Sequence, residues 1–241
     1  MIKLAGVTKI YNGNFKAVDD LNVTFDDGEI IGFIGSNGAG KSTTLKMITG
    51  ILEPSEGAIE INGFDICKQP LEAKKEFSFV ADSPDTFLRL KGIEYLDFIA
   101  NIYKVEKAVR KEKIETLSKD FEMESALNDQ IKSYSHGMRQ KIMIMGALLH
   151  DPNVWILDEP LTGLDPQSSF LLKQKMKDHA AQGNMVLFST HVLEVAEKLC
   201  TKVCIVDKGK KLFFGTLREL KEKYNECLSL EEIFLKVIHN G

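Results

Sequence analysis

The 241-residue sequence has no apolar run long enough to cross a bilayer. Its longest, Ile142–Leu149, covers less than half of the roughly 20 residues that a spanning helix needs. Work at a membrane would therefore require a separate partner. Cysteine is sparse as well: Cys67, Cys200, Cys204 and Cys227 form no C-x-x-C pair, and the histidines lack zinc spacing. That argues against a zinc site and for a reduced, cytosolic chain whose thiols are buried and structural. The chain has no basic excess: 31 Lys and Arg against 35 Asp and Glu leave a net charge of −4. A nucleic-acid protein held mainly by phosphate contacts is not expected from such a balance. Only six prolines occur, and no Pro-rich linker, repeat or low-complexity stretch divides the chain. The start, Met1-Ile2-Lys3-Leu4, lacks the apolar core of a secretion signal.

An ordinary apolar fraction of 44% allows a full core. Ile2–Ile10 and Ala17–Phe25 read as strands, Asp26-Asp27-Gly28 turns into an apolar strand at Ile30–Ile34, and Ala58–Asn62 is a further strand ending at the turn pair Asn62-Gly63. From Gly92 to about Leu149 the pattern becomes helical. Glu94, Asp97, Asn101 and Lys104 make a polar stripe, with Ile93, Leu96, Ile99, Ala100 and Tyr103 around it. Ile114, Leu117 and Phe121 suggest a second amphipathic helix. Met138–Leu149 is apolar nearly all round after its first turn and should be buried. Strand–helix alternation then returns with Val154–Leu157, Val186–Ser189 and Val203–Val206, short runs suited to parallel strands covered on both faces. Asp165-Pro166 opens a helix, with Asp as cap and Pro in the first turn.

The chemistry begins at Gly35-Ser36-Asn37-Gly38-Ala39-Gly40-Lys41-Ser42, which fits the pattern G-x-x-x-x-G-K-[ST] between a strand and a helix. Such a turn aims several backbone N–H groups at one anion. Lys41 can reach terminal phosphates, and the Ser42 hydroxyl can ligate Mg²⁺. A second element, Val154-Trp155-Ile156-Leu157-Asp158-Glu159, is a buried strand ending in two carboxylates. Asp158 can hold Mg²⁺ near the phosphates, directly or through water, and Glu159 can polarise an attacking water. A third, Ser133-Tyr134-Ser135-His136-Gly137-Met138-Arg139-Gln140-Lys141, precedes the buried helix. Ser135 can cap that helix, and Gly137 leaves backbone exposed at its anion-favouring end.

Here the chain resembles the ATP-binding cassette (ABC) ATPases, whose signature Leu-Ser-Gly-Gly-Gln stands at this place. Ser135 and Gly137 match it, and Tyr134, His136 and Met138 depart from it. Pro160–Asp165 follows the carboxylates as the D-loop does in that family. His191 follows Ser189-Thr190 where the family has its switch histidine, and Tyr11 lies where the family stacks an aromatic ring on adenine. The resemblance covers about residues 1–220.

The resemblance implies a P-loop NTPase fold of the α/β class: a RecA-like mixed sheet with an N-terminal antiparallel β part (1–88 and 151–216), an all-helical insertion (89–150) and a helical tail (217–241). It implies Mg²⁺ and ATP shared between two ATPase subunits, identical or different, that meet head to tail. Gly35 to Thr43 and Tyr11 would hold the nucleotide of one subunit, and Ser135 and Gly137 would act on it from the other. Ser42 and Asp158 would hold the metal, Glu159 would be the general base, His191 would contact the γ-phosphate, and Asp165 would link the two sites. Asp82 stands where the family usually has Gln, and it can offer water or Mg²⁺ contacts but no hydrogen to donate. Acidic residues there, Met138 and the tail segment Ser229–Phe234 resemble bacterial export-type members. The implied function is to power transport through a separate polytopic membrane permease, export rather than import, with the subunit peripheral on the inner face of the cell membrane. The surface of Phe87, Leu88 and Tyr95 is where such members take a permease helix, and core packing is the competing account of these residues. A soluble ABC ATPase acting on DNA or ribosomes is the alternative; those members usually carry two cassettes, a coiled-coil insertion or basic extensions, none of which is visible.

Overall fold

A computed structural model describes residues 1–83, 85, 87–224 and 228–239. The N-terminal antiparallel sheet holds β1 (Ile2–Tyr11), β2 (Phe15–Phe25), β4 (Glu56–Ile61) and β5 (Phe64–Asp65), in the order β2-β1-β4-β5. The Asn62-Gly63 turn closes β4 onto β5, both residues having positive φ (49° and 85°), as a tight hairpin requires.

The larger sheet is built from β3 (Ile30–Ile34), β6 (Phe77–Val80), β7 (Val154–Asp158), β8 (Met185–Thr190), β9 (Lys202–Asp207) and β10 (Lys210–Thr216), in the order β10-β9-β3-β8-β7-β6. All pairings are parallel except β10 with β9. Because side chains alternate along a strand, this sheet feeds two cores. Ile31, Phe33, Val154, Ile156 and Leu187 pack toward the antiparallel sheet and α1 (Lys41–Ile48). Ile30, Ile34, Trp155, Leu157 and Phe188 pack toward the helices. Near-continuous burial of β3, β7 and β8 follows, as expected of parallel strands covered on both faces.

The short helix α2 (Pro70–Lys75) precedes β6. The predicted helical stretch consists of α3 (Gly92–Ile102), α4 (Lys107–Asp120) and α5 (His136–Leu148). In α3 the apolar residues divide by depth: Leu96 and Ala100 are buried, Ile93 and Ile99 are half-buried, and Phe98 and Ile102 are exposed. Helix α5 is buried through Ile142–Ala147, as its composition demands. Beyond it lie α6 (Pro166–Ala181) and α7 (Leu193–Leu199).

The tail is two helices, α8 (Leu217–Tyr224) and α9 (Leu230–His239). They are integral to the fold, since Leu220, Leu230, Ile233 and Val237 are buried in the helical core. One thiol expectation fails. Cys200 and Cys204 are buried, but Cys67 is exposed. It sits in a surface turn where the Asp65 carboxylate accepts the amide hydrogens of Cys67 and Lys68, a local bond that holds the turn outside any core. Cys227 lies outside the described residues.

Candidate functional site

Four strands of the parallel sheet end on one side and deliver the site. β3 leads into the glycine-rich turn, β7 into Asp158-Glu159, β8 into Thr190-His191, and β6 into the segment holding Asp82. Ligands of open α/β sheets bind at this carboxyl edge. A cleft of about 460 Å³ opens there, lined by Tyr11, Phe15, Ala17, Asn37, Gly38, Gly40, Lys41, Ser42, Thr43, Asp82, Glu159, Thr162 and His191.

The turn is shaped by two close approaches. A Cβ on Gly35 would lie 2.5 Å from the Val206 carbonyl oxygen, and one on Gly40 would lie 2.5 Å from that of Ala17. Gly40 also has φ 100° and stands at the start of α1 without any side-chain cap. The first N–H groups of α1 are thus left for a ligand. Lys41 is only 7% exposed. Its ammonium donates to the carbonyls of Gly35 (2.8 Å) and Ser36 (3.2 Å), curling back along the turn. Burial lowers its pKa, and the charges of Glu159 and Asp158 oppose that shift. Ser36 ties the turn to the end of β9 by donating to Asp207 (3.1 Å). Gly35 and Ala39 are buried and shape the turn from behind.

The carboxylates are organised by a residue that motif reading passed over. Register pairs Asp158 with Ser189 on the neighbouring strand. The fully buried Ser189 hydroxyl donates to Asp158 (2.5 Å) and accepts the Glu159 amide hydrogen (2.9 Å). Glu159 adopts φ 48°, a left-handed conformation unusual outside glycine. Its carboxylate meets His191 Nδ1 at 2.9 Å. Asp82 lies in the field of both acids. Burial raises its pKa first, and Asp158 and Glu159 raise it further.

The remaining predicted residues lie away from the cleft. Ser135 caps α5, accepting the Met138 amide hydrogen at 3.2 Å. Asp165 caps α6 through Ser168 (2.8 Å) and pairs with Lys141 (2.9 Å). These bonds hold its carboxyl below the usual carboxylate range. Neither Ser135, Gly137 nor Asp165 lines the chain's own cleft. Phe15, Ala17 and Thr162 line it without having been singled out from the sequence. Phe15 pairs with Tyr11 across the β1–β2 hairpin, and directly paired residues share a face. An exposed aromatic four residues after Tyr11 was the available signal.

The donor set suits Mg²⁺, which takes hydroxyl, carboxylate and phosphate oxygens. Among the described residues no group of three or more His, Cys, Asp and Glu side chains could hold a metal ion alone. Phosphate oxygens would have to complete the shell.

A family model described as ABC transporter matches residues 18–162. ABC transporter ATP-binding protein NatA of Bacillus subtilis (strain 168) is 37% identical, over 94% of this chain and 92% of its own. The Nod factor export ATP-binding protein I of Rhizobium leguminosarum bv. viciae is 34% identical, over 95% of this chain and 74% of its own. A solved ATP-binding subunit of an ABC transporter superimposes with a TM-score of 0.94 at 32% identity, covering 99% of both chains. With the P-loop, the paired carboxylates and the histidine gathered at one sheet edge, the chain belongs to the ABC transporter ATP-binding proteins and is an ATPase of that family.

Proposed function

We propose that this subunit drives transport through a separate membrane permease by closing on ATP with a second ATPase subunit and reopening after hydrolysis. The observation that carries the shared-site part is the separation of the two halves. The P-loop, Glu159 and His191 line one cleft, while Ser135 and Gly137 lie outside it on the same chain. A signature outside its own cleft would serve that of a second subunit. Residues 1–88 and 151–216 would form the nucleotide-binding core, 89–150 the signature-bearing insertion and 217–241 the tail.

In the closed dimer the amides of Gly38 to Ser42, the Thr43 hydroxyl and the Lys41 ammonium would bind the phosphates, and Tyr11 would stack on the base. Ser42 and Asp158 would hold Mg²⁺, with Asp82 on its water shell; bound there, the ion would neutralise phosphate oxygens. Glu159 would take the proton of the attacking water. Its contact with His191 fixes one carboxylate oxygen and leaves the other for that water. His191 would in turn keep Nε2 for the γ-phosphate.

Two features support the permease. No helix among the described residues is long and apolar enough to cross a membrane. Phe87 and Phe98 are exposed beside buried Tyr95, with ring centroids 5.4 and 5.5 Å apart along the cluster, an apolar surface suited to a partner helix. The named activity of the Nod factor export relative supports export as the direction.

Mild-detergent affinity purification from native membranes tests the reading. A polytopic membrane protein recovered in stoichiometric yield is the expected result. Recovery with ribosomal or DNA-associated proteins alone would replace the transporter by a soluble ATPase. Glu159→Gln tests the chemistry: it should bind ATP, hydrolyse it about 10²–10⁴-fold more slowly and accumulate as a dimer. Turnover at the wild-type rate would remove Glu159 as the base.

A further inference from the structure

His136 occupies a position where the ABC signature has glycine, and its ring does something glycine could not. A Cβ built on Gly163 would lie 2.3 Å from His136 Cδ2 and 3.0 Å from Nε2, so the imidazole packs directly over the Gly163 backbone. From the neighbouring position, a Cβ on Gly137 would lie 2.7 Å from the Gly163 carbonyl oxygen. Gly163 has φ 79° and packs against two successive residues of the signature turn. Further along α5, Gln140 donates to the Pro160 carbonyl (3.5 Å), and Lys141 holds Asp165 (2.9 Å). The loop Glu159–Asp165 is therefore held to the start of α5 near its beginning, middle and end.

That loop also faces the cleft. Glu159 and Thr162 both line the cleft, and the Thr162 amide donates to the Glu159 carbonyl (3.1 Å). His136 is within electrostatic reach of Asp82 on the third loop of the same edge. One side chain thus lies where the chain's own site, its D-loop and its signature turn converge.

We propose that His136 is a positioning residue that couples the two nucleotide sites of the dimer. By clamping the Glu159–Asp165 loop to the Ser135–Gly137 turn, it makes closure at the chain's own cleft move the turn presented to the partner's nucleotide. The coupling rests on the shared-site reading above; the clamp itself is a property of one chain. Small contacts of this kind transmit state when the packed elements move as a unit.

Two variants and two measurements test it. His136→Ala removes the ring, and His136→Phe keeps a planar ring over Gly163. In the nucleotide-free wild-type chain and in each variant, amide hydrogen exchange is followed over residues 160–165. Exchange should rise about tenfold in H136A, as expected of a locally loosened segment, and stay near wild type in H136F. Unchanged exchange in H136A overturns the clamp. ATP hydrolysis is then measured against ATP concentration in the assembled dimer. Two coupled sites give a Hill coefficient approaching about 2, and H136A should bring it toward 1 while H136F retains it. Raised exchange with an unchanged Hill coefficient overturns the coupling. A wild-type enzyme without cooperativity counts against the shared-site reading itself, and the exchange result still decides the clamp.

Discussion

Two helix N-termini of the chain, both proposed to meet phosphate, are finished in different ways. Helix α1 starts at Gly40, in a left-handed conformation and with no side-chain cap. Helix α5 starts at Ser135, whose hydroxyl already accepts the Met138 amide hydrogen. The first is open, without a side-chain cap, and its buried lysine folds back onto the carbonyls of Gly35 and Ser36. The second is closed at the Met138 amide by that cap and exposed at Ser135 and His136. The difference fits their proposed duties. An N-terminus that keeps a nucleotide through the cycle can leave its amides unsatisfied until the ligand arrives. One that meets a nucleotide only when two subunits close must stand alone between encounters. A capping hydroxyl still has its own hydrogen to donate, so Ser135 can serve helix and γ-phosphate together.

The open end is the more sensitive to damage. Lys41→Ala removes the one ammonium in the turn and should lower kcat/KM for ATP by about 10²–10³-fold or more, the usual cost of losing a preorganised charge donor. Steady-state hydrolysis checks it, and wild-type activity would sink the P-loop assignment. Gly40→Ala should be nearly as severe, because the new Cβ would meet the Ala17 carbonyl 2.5 Å away at a φ that only glycine tolerates well.

The closed end can be dissected, because its two duties separate chemically. Ser135→Ala loses the cap, about 1 kcal/mol of stability, and the proposed phosphate contact. Ser135→Asp keeps a good cap and suits the helix dipole, but sets a negative charge against a γ-phosphate. Thermal unfolding should rank Asp at or above wild type with Ala below. Hydrolysis should fall in both, further in Asp. If Ser135→Asp hydrolysed ATP normally, the α5 terminus would be a structural cap only and the comparison would collapse.

The open terminus was legible because its parts are contiguous: the turn and its lysine lie within eight residues of sequence. Asp158 and Glu159 were legible for the same reason. Ser189 was not, because only the register of β8 against β7 brings its hydroxyl to Asp158. Phe15 escaped because a three-residue hairpin, not a motif, returns it beside Tyr11. β6 is four residues without alternation, and β5 is two, too short for periodicity to register. The tail was read as helical, but its depth of packing depends on α7, far off in sequence. Cys67 was misplaced because thiols are usually buried, while its own turn is fixed by Asp65.

The far end of α5 supplies a control that should touch stability alone. His150 follows the helix, stacked on Tyr103 with ring centroids 3.5 Å apart and planes 7° apart. Burial pushes its pKa down to about 4 from an ordinary 6.5. The unfolded chain thus binds a proton between those values that the folded chain refuses. The stabilising contribution is complete above about pH 6.5 and is lost as the pH falls toward 4. His150→Phe keeps the stack and removes that proton, so Tm should fall less steeply from pH 6.5 to 4 than in wild type. Some slope should remain, because burial also lowers the pKa of His179. His150 is gathered with Ser78, Tyr95, Ile99 and Gly146, none of them a cleft residue, so KM for ATP at neutral pH should stay within about twofold, as for a remote packing change. An unchanged slope would show that His150 is not held neutral by its surroundings. A large change in KM would show that the two ends of α5 are not independent, and the contrast between its closed N-terminus and the open end of α1 would then have to include the whole helix.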